Sequence, residues 1–355
     1  MLACLLTPRP RLAVVLVSLA TTEAGLGIGS LALYKYRLIP SPGLMPLDRY
    51  VFHFAWHPLL QAVPVPTTAA EKARNMPLIN ADRLRGPEIT ADGLRGKIVV
   101  ALFGGSTTFD DHPAGHSWPE RLRALLGDKY AVINRGMGGY TTAEHVIQTA
   151  FYERTKGVTP TCSVYYVGWN DLRSANVANL DPGYANFHLP AQADIFRIRP
   201  TDLQHSFSAL AIFAGRLLGR AFDTIRFDDP GGTVGGEPDA VLERIFARNV
   251  ETISTLNRAR GIRTLWVGQL MNRAALTSAT PSYWIQYVPP NKVYELIQRL
   301  SAILQREAAL LGDVYAGLPV EQLDNIGFVD EGHFTLEGSR RFAAMLAPAI
   351  RENCR

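Results

Sequence analysis

The sequence is poor in cysteine. Its three, Cys4, Cys162 and Cys354, cannot build a disulfide-dense scaffold, and no CxxC or Cys/His cluster has zinc-binding spacing. It is also poor in charge: 19% of residues are charged, the net charge is only +4, and no basic block interrupts the chain. A polyelectrolyte partner demands a concentrated Lys/Arg footprint, so no nucleic-acid partner is expected. There is no G-x-S-x-G elbow, no HExxH and no P-loop, which excludes an ordinary α/β-hydrolase, a zincin and a Walker-type nucleotide site. Gly27-Ile28-Gly29 imitates a dinucleotide loop but lies inside an apolar run rather than after a strand. Long hydrophobic runs are missing save one, which excludes a multi-span membrane protein. What is present, 47% apolar residues with 30 Gly and 23 Pro in 355 positions, is a globular composition.

The one long apolar run extends from Leu12 to Tyr34, after Arg9 and Arg11 and before Lys35 and Arg37. As a helix it measures roughly 35 Å at ~1.5 Å per residue, enough to span a bilayer. Glu23 sits at its middle, and an acid there costs on the order of 3 kcal/mol. Ten aliphatic residues from Leu12 to Leu33 each return about 0.3–0.6 kcal/mol, so insertion is near balance or mildly favourable. We expect residues 1–37 to form an uncleaved transmembrane anchor. A cleaved signal peptide ending near Ser18-Leu19-Ala20 and a soluble helix are the alternatives. The flanking positive charges are nearly equal and specify orientation weakly. No cysteine follows the run at a lipoprotein-like position.

Residues 38–96 carry eight prolines, six of them by residue 66, without a sustained period and are expected to be a connector lying against the main domain. From Lys97 short apolar runs alternate with amphipathic stretches. The expected strands are 97–103, 130–133, 163–167, 262–267 and 313–315. The expected helices are 118–126, 142–155, 240–260, 291–311 and 336–350. Strands alternating with helices imply an α/β domain over 97–355, its five-stranded parallel sheet covered on both faces. The connection over about 172–238 is too long for a simple loop and is read as an insertion or cover.

Ligands of an open parallel sheet bind at the carboxyl ends of its strands. There the sequence places Gly104-Gly105-Ser106-Thr107-Thr108, Asn134-Arg135-Gly136-Met137-Gly138-Gly139-Tyr140-Thr141, Gly168-Trp169-Asn170-Asp171 and, before the last helix, Asp330-Glu331-Gly332-His333-Phe334-Thr335. These types have complementary tasks. A serine hydroxyl needs an imidazole to remove its proton. The imidazole needs a carboxylate to hold its tautomer, and a developing oxyanion needs preorganised N–H donors. Singly, each has a plainer reading: Ser106 as a helix cap, the glycines as a turn, Asn170 as a cap, Asp330 as a loop acid, His333 as a structural side chain. Asp324 rivals Asp330 as the histidine's partner. Together and in order, they point to a site.

The four blocks GGSTTF, NRGMGGYTT, VGWND and DEGHFTLEG resemble those of the SGNH hydrolases, the GDSL-like esterase superfamily, in the family's order and over residues 104–338. The resemblance implies a three-layer α/β/α flavodoxin-like fold with Ser106 as nucleophile, His333 as base and Asp330 as its partner. Gly139 and Asn170 would join the Ser106 N–H as oxyanion donors, with Gly136 and Gly138 as rivals to Gly139. The first block departs from GDSL by reading GGST. No cofactor or metal is implied. The expected reaction is hydrolysis of a carboxylic ester through an acyl-serine, with an O-acetyl group on a carbohydrate as first choice. An O-acetyltransferase, a lipase or thioesterase, and a non-catalytic glycan-binding or assembly component are the alternatives. The expected partners are the ester substrate and a lipid bilayer, with the domain outside the cytoplasm. His112, His116, His188 and His205 are read as surface or lid residues, and Trp169 as either a pocket border or core. Cys162 and Cys354 are candidates to pair in an outward-facing domain, though Cys162 equally suits a buried apolar position.

Overall fold

The alternation of apolar runs and amphipathic stretches resolves, in a computed structural model of the chain, into five parallel strands and their covering helices. The structure describes residues 10–35, 54–57, 59–73, 76–178, 180, 208–222, 231–282, 284–323 and 325–355. Contacts divide the chain into two units: residues 1–56 with 189–229, and residues 57–188 with 230–355.

The larger unit holds the sheet. Its strands are β1 (Ile98–Gly104), β2 (Tyr130–Asn134), β3 (Cys162–Val167), β4 (Arg263–Gly268) and β5 (Val314–Tyr315), in the order β2-β1-β3-β4-β5, all parallel. That order is the flavodoxin-like doubly wound topology, whose switch point lies between β1 and β3. The pleat sends alternate side chains to opposite faces. Val100 and Leu102 of β1, with Val164 and Tyr166 of β3, enter one core with Trp118 and Leu122 and with Phe342, Leu346 and Ile350. Ala101 and Phe103, with Tyr165 and Trp266, enter the other with Phe246, Val250, Ile253, Ile297 and Leu300. Strands buried on both faces explain why the runs read as continuously apolar.

Helices follow the chain as α1 (Pro10–Lys35), the single turn α2 (Ser106–Phe109), α3 (Trp118–Leu126), α4 (Thr142–Phe151), α5 (Ala209–Phe222), α6 (Ala240–Ala259), α7 (Pro290–Leu311) and α8 (Leu336–Asn353). Capping boxes start α3, at Ser117 with Glu120, and α4, at Thr141 with Glu144. Helix α4 stops four residues before the expected 155. Residues 57–96 do more than connect. Buried Arg85 donates to the carbonyls of Asp110 (3.4 Å) and His112 (2.6 Å), and the Tyr140 hydroxyl donates to the Ala62 carbonyl at 2.5 Å. This segment therefore braces two loops at the carboxyl edge of the sheet.

Cys162, at the start of β3, is bonded to Cys354 just past α8, with Cα atoms 5.3 Å apart and both residues fully buried. The bridge closes the last helix onto the central strand.

In the smaller unit, Arg11–Ser30 of α1 is long and apolar enough to cross a membrane, and Leu12, Val14, Val15 and Val17 are exposed. Glu23, the costly acid of the sequence reading, has a partner within this unit. Its carboxylate accepts from the Ser208 hydroxyl (2.8 Å) and the backbone N–H groups of Ala209 and Leu210 (3.0 Å for the latter) at the start of α5. A carboxylate there satisfies helix N–H groups that have no intrahelical acceptor. His188 and His205, read above as surface or lid residues, lie outside the described residues, as does most of the insertion.

Reduction of the Cys162–Cys354 bridge, or Cys354→Ser, is expected to remove about 2–5 kcal/mol. Thermal unfolding should then shift down by roughly 5–15 °C. An identical melting temperature with and without reductant contradicts a bridged domain.

Candidate active site

Serine 106 is fixed by backbone carbonyls that find outside partners. It is the first residue of α2, a one-turn helix directly after β1. A helix this short leaves carbonyls unpaired within itself. The Asp110 N–H donates to Ser106 O (2.9 Å), the Trp118 indole N–H to Thr107 O (2.7 Å) and the Asn134 amide to Thr108 O (2.9 Å). Asp110 stands in the left-handed region (φ 53°), and its carboxylate accepts from Trp118 N (2.6 Å) and the Ser339 hydroxyl (2.8 Å). The serine turn is thus tied to β2, α3 and α8 at once. Asp110 was not singled out in the sequence, Asn134 was named only as the head of the second block and Trp118 only as the start of an expected helix.

The loop before α8 brings the histidine to this turn. His333 Nε2 lies 2.8 Å from Ser106 Oγ, and His333 Nδ1 lies 2.7 Å from Asp330 Oδ2. Asp330 Oδ1 accepts from the N–H groups of Gly332 (2.9 Å) and His333 (2.8 Å), which fixes the carboxylate beneath the ring. Burial draws the His333 imidazole down, but the bond and charge of Asp330, helped by the charges of Asp110 and Glu331, outweigh it and leave the pKa above 6.5. Asp330 is the converse. Burial raises it, and the His333 bond and charge with the two backbone donors bring it below 3.8. Asp324, the rival partner, lies outside the described residues.

Asn170 opens a 3-10 turn immediately after β3 and is 5% exposed. Its Nδ2 donates to Tyr140 O (2.9 Å), and its Oδ1 accepts from the Trp284 indole N–H (3.0 Å). A Cβ at Gly105 would stand 2.3 Å from Asn170 Nδ2, so the asparagine amide lies directly against the residue before the serine. The three candidate glycines are also distinguished. Gly136 N–H is engaged by Asn134 Oδ1 at 2.8 Å, and a Cβ on Gly138 would meet open space. Gly139 has φ 84°, and a Cβ there would stand 3.1 Å from Trp284 Cη2, beside the indole that bonds Asn170.

Ser106, His333 and Asp330 therefore form a continuous hydrogen-bonded chain, with Asn170 and Gly139 on the adjoining side. Chemically, this can deprotonate a hydroxyl and offer N–H donors to a developing oxyanion. Trp284, between β4 and α7, was missed. Nothing in SATPSYWIQ separates it from a core aromatic. Trp169 and Trp284 both pack, partly buried, against the α6–α7 side of the core. His112 corrects the surface reading: it is half-buried, with Nε2 3.5 Å from Asp110 Oδ1. His116 is exposed as expected. Among the described residues, no group of three or more His, Cys, Asp or Glu is arranged to hold a metal ion.

No family model matches the chain, and no curated protein matches it. Among solved structures, it is similar to Est24, a carbohydrate acetylesterase from Sinorhizobium meliloti (14% identity, 72% of this chain and 99% of that one, TM-score 0.40). It is similar also to TesA (15% identity, 72% and 98%, TM-score 0.41). A third is a GDSL-like lipase from Bacteroides thetaiotaomicron (14% identity, 75% and 92%, TM-score 0.38).

The His333 imidazole, followed by NMR, should titrate with a midpoint above 6.5. In Asp330→Asn the midpoint should fall, because burial then acts without its main counterweight. A midpoint that Asp330→Asn leaves in place contradicts the coupling.

Proposed function

We propose that the protein is a serine esterase that hydrolyses a carboxylic ester through an acyl-serine. The observation that carries this reading is the bonded chain from Ser106 Oγ through His333 to Asp330. His333 Nε2 takes the Ser106 proton as Oγ attacks the acyl carbon, and Asp330 stabilises the imidazolium. The tetrahedral oxyanion is met by the free N–H of Asn170 Nδ2 and by the backbone N–H groups of Gly139 and Ser106. Collapse breaks the ester C–O bond, and His333 returns its proton to the departing alcohol. A water then attacks the acyl carbon and loses a proton to His333. The second collapse breaks the bond between Ser106 Oγ and the acyl carbon, His333 returns the proton to Oγ, and the acid leaves.

The proposed substrate is an O-acetyl ester of a carbohydrate. It rests on the resemblance of the four blocks to the SGNH family, whose anchored members commonly act on acetylated glycans. The proposed location is outside the cytoplasm, tethered by α1. Two features support it: the apolar length of Arg11–Ser30 and the Cys162–Cys354 bridge, since such bridges persist in oxidising compartments.

The full-length protein in detergent should hydrolyse a short-chain aryl acetate. Ser106→Ala and His333→Ala, still folded, should abolish turnover, and Asn170→Ala should lower kcat by about 10²–10³-fold. Activity should be lost as pH falls through the His333 pKa, because the base must be neutral to accept a proton. Turnover that survives Ser106→Ala contradicts the serine mechanism. Transfer to a sugar hydroxyl in preference to water would replace hydrolysis by acetyl transfer. In cell fractions, the chain should stay with membranes after high salt and leave in detergent; release by salt alone contradicts the tether.

A further inference from the structure

A buried cation without a hydrogen-bond partner lies beside the asparagine and glycine of this site. Arg173 is 1% exposed, and its Nε, Nη1 and Nη2 are all buried with no acceptor. A desolvated guanidinium is ordinarily held by forked bonds to a carboxylate. Here the two nearby acids act on it by charge alone, and Asp171 Oδ2 is itself buried with no hydrogen-bond partner. Asp171 Oδ1 accepts from Thr142 N (3.0 Å) and Oγ1 (2.6 Å), and Glu144 Oε2 accepts from Thr141 N and Oγ1 (2.7 Å each). They offset the charge of Arg173 without bonding to it. Burial pulls its pKa to about 10, which leaves it charged at neutral pH.

What Arg173 does touch is Trp284. Its guanidinium carbon lies 4.7 Å from the ring centroid, a cation–π contact. The same indole donates its N–H to Asn170 Oδ1 and stands over Gly139, where a Cβ would also come within 3.3 Å of Arg173 Nη1. An asparagine amide rotates over a broad torsional range unless both ends are held. Tyr140 O takes one N–H of Asn170, Trp284 holds the oxygen end, and the second N–H is left for the oxyanion.

We propose that Arg173 is a positioning residue: stacked on Trp284, it holds the indole against Asn170 and so fixes the amide that faces the nucleophile. The inference rests on the esterase reading above and adds a residue to it. Its consequence is kinetic. The oxyanion exists in the transition state and not in the bound ester, so a loosened Asn170 lowers kcat and leaves KM nearly unchanged.

The test measures kcat, KM and melting temperature of the full chain with an aryl acetate. Four variants are compared: Arg173→Met, Arg173→Lys, Trp284→Phe and the Arg173→Met/Trp284→Phe double. Arg173→Met should lower kcat about 10–100-fold with KM within about twofold, and Trp284→Phe, which keeps a ring but loses the N–H, should do the same. The double variant should be within about twofold of the worse single, because both act through one amide. Arg173→Lys should recover part of the loss, since an ammonium retains the cation–π contact. Wild-type kcat in Arg173→Met, with only its melting temperature lowered, overturns the proposal and marks a structural residue; multiplicative losses in the double also overturn it. Should Arg173→Met fail to fold, Trp284→Phe decides, and wild-type kcat there overturns the proposal. Absence of turnover in the wild type overturns the esterase reading together with this one, whereas turnover untouched by these variants overturns this one alone.

Discussion

The contact on which the rest depends is the 2.8 Å hydrogen bond between Ser106 Oγ and His333 Nε2, made by residues 227 positions apart. No local preference brings them together. The serine is placed by the end of β1, and the histidine by the loop into α8. The two meet because β1 and α8 share one core through Leu102, Tyr166 and Phe342. The Cys162–Cys354 bridge and the Ser339–Asp110 bond fasten α8 at separate points. Rigid support matters because a general base must sit within hydrogen-bonding reach of the proton it removes.

The same support explains the electrostatics. His333 is half-buried, and burial alone would lower its affinity for a proton. The Asp330 carboxylate, itself held by two backbone N–H groups, reverses that. In the proposed mechanism a base raised in this way is matched to the charge it must accept, and the Asp330 bond leaves Nε2, not Nδ1, facing the serine. The side proposed to meet the oxyanion is built with equal economy of space. Gly105 admits the Asn170 amide against the serine turn, and Gly139 admits an indole and a guanidinium side by side.

Much of this was legible from the residues. The apolar runs became the five strands with end shifts of one residue, because strands buried on both faces announce themselves without needing a partner's identity. Ser106 and Asn170 were visible as polar residues following strands, Asp330 and His333 as a pair in the loop before the last helix, and the order of the blocks indicated that they converge. The rest depended on long-range contacts. Trp284 and Arg173 have no local pattern that marks them; an aromatic in a loop and an arginine after WND acquire meaning only when they stack. Helix α5 lay in an insertion read as a cover, although ALAIFAGRLLGRAF has helical apolar spacing. Glu23 was legible as a cost, while its partners lay 185 to 187 residues away. Residues 57–96 looked like a connector because prolines break periodicity, yet Arg85 and Ala62 brace the loops of the site.

The central claim is that Ser106, activated by His333, is a nucleophile. A fluorophosphonate probe, which captures activated serines as a phosphorylated oxygen, tests it without any assumption about the substrate. Intact mass and peptide mapping should find one adduct, on Ser106, absent from Ser106→Ala and strongly slowed in His333→Ala. An unlabelled chain, or an adduct on another residue, would contradict the account.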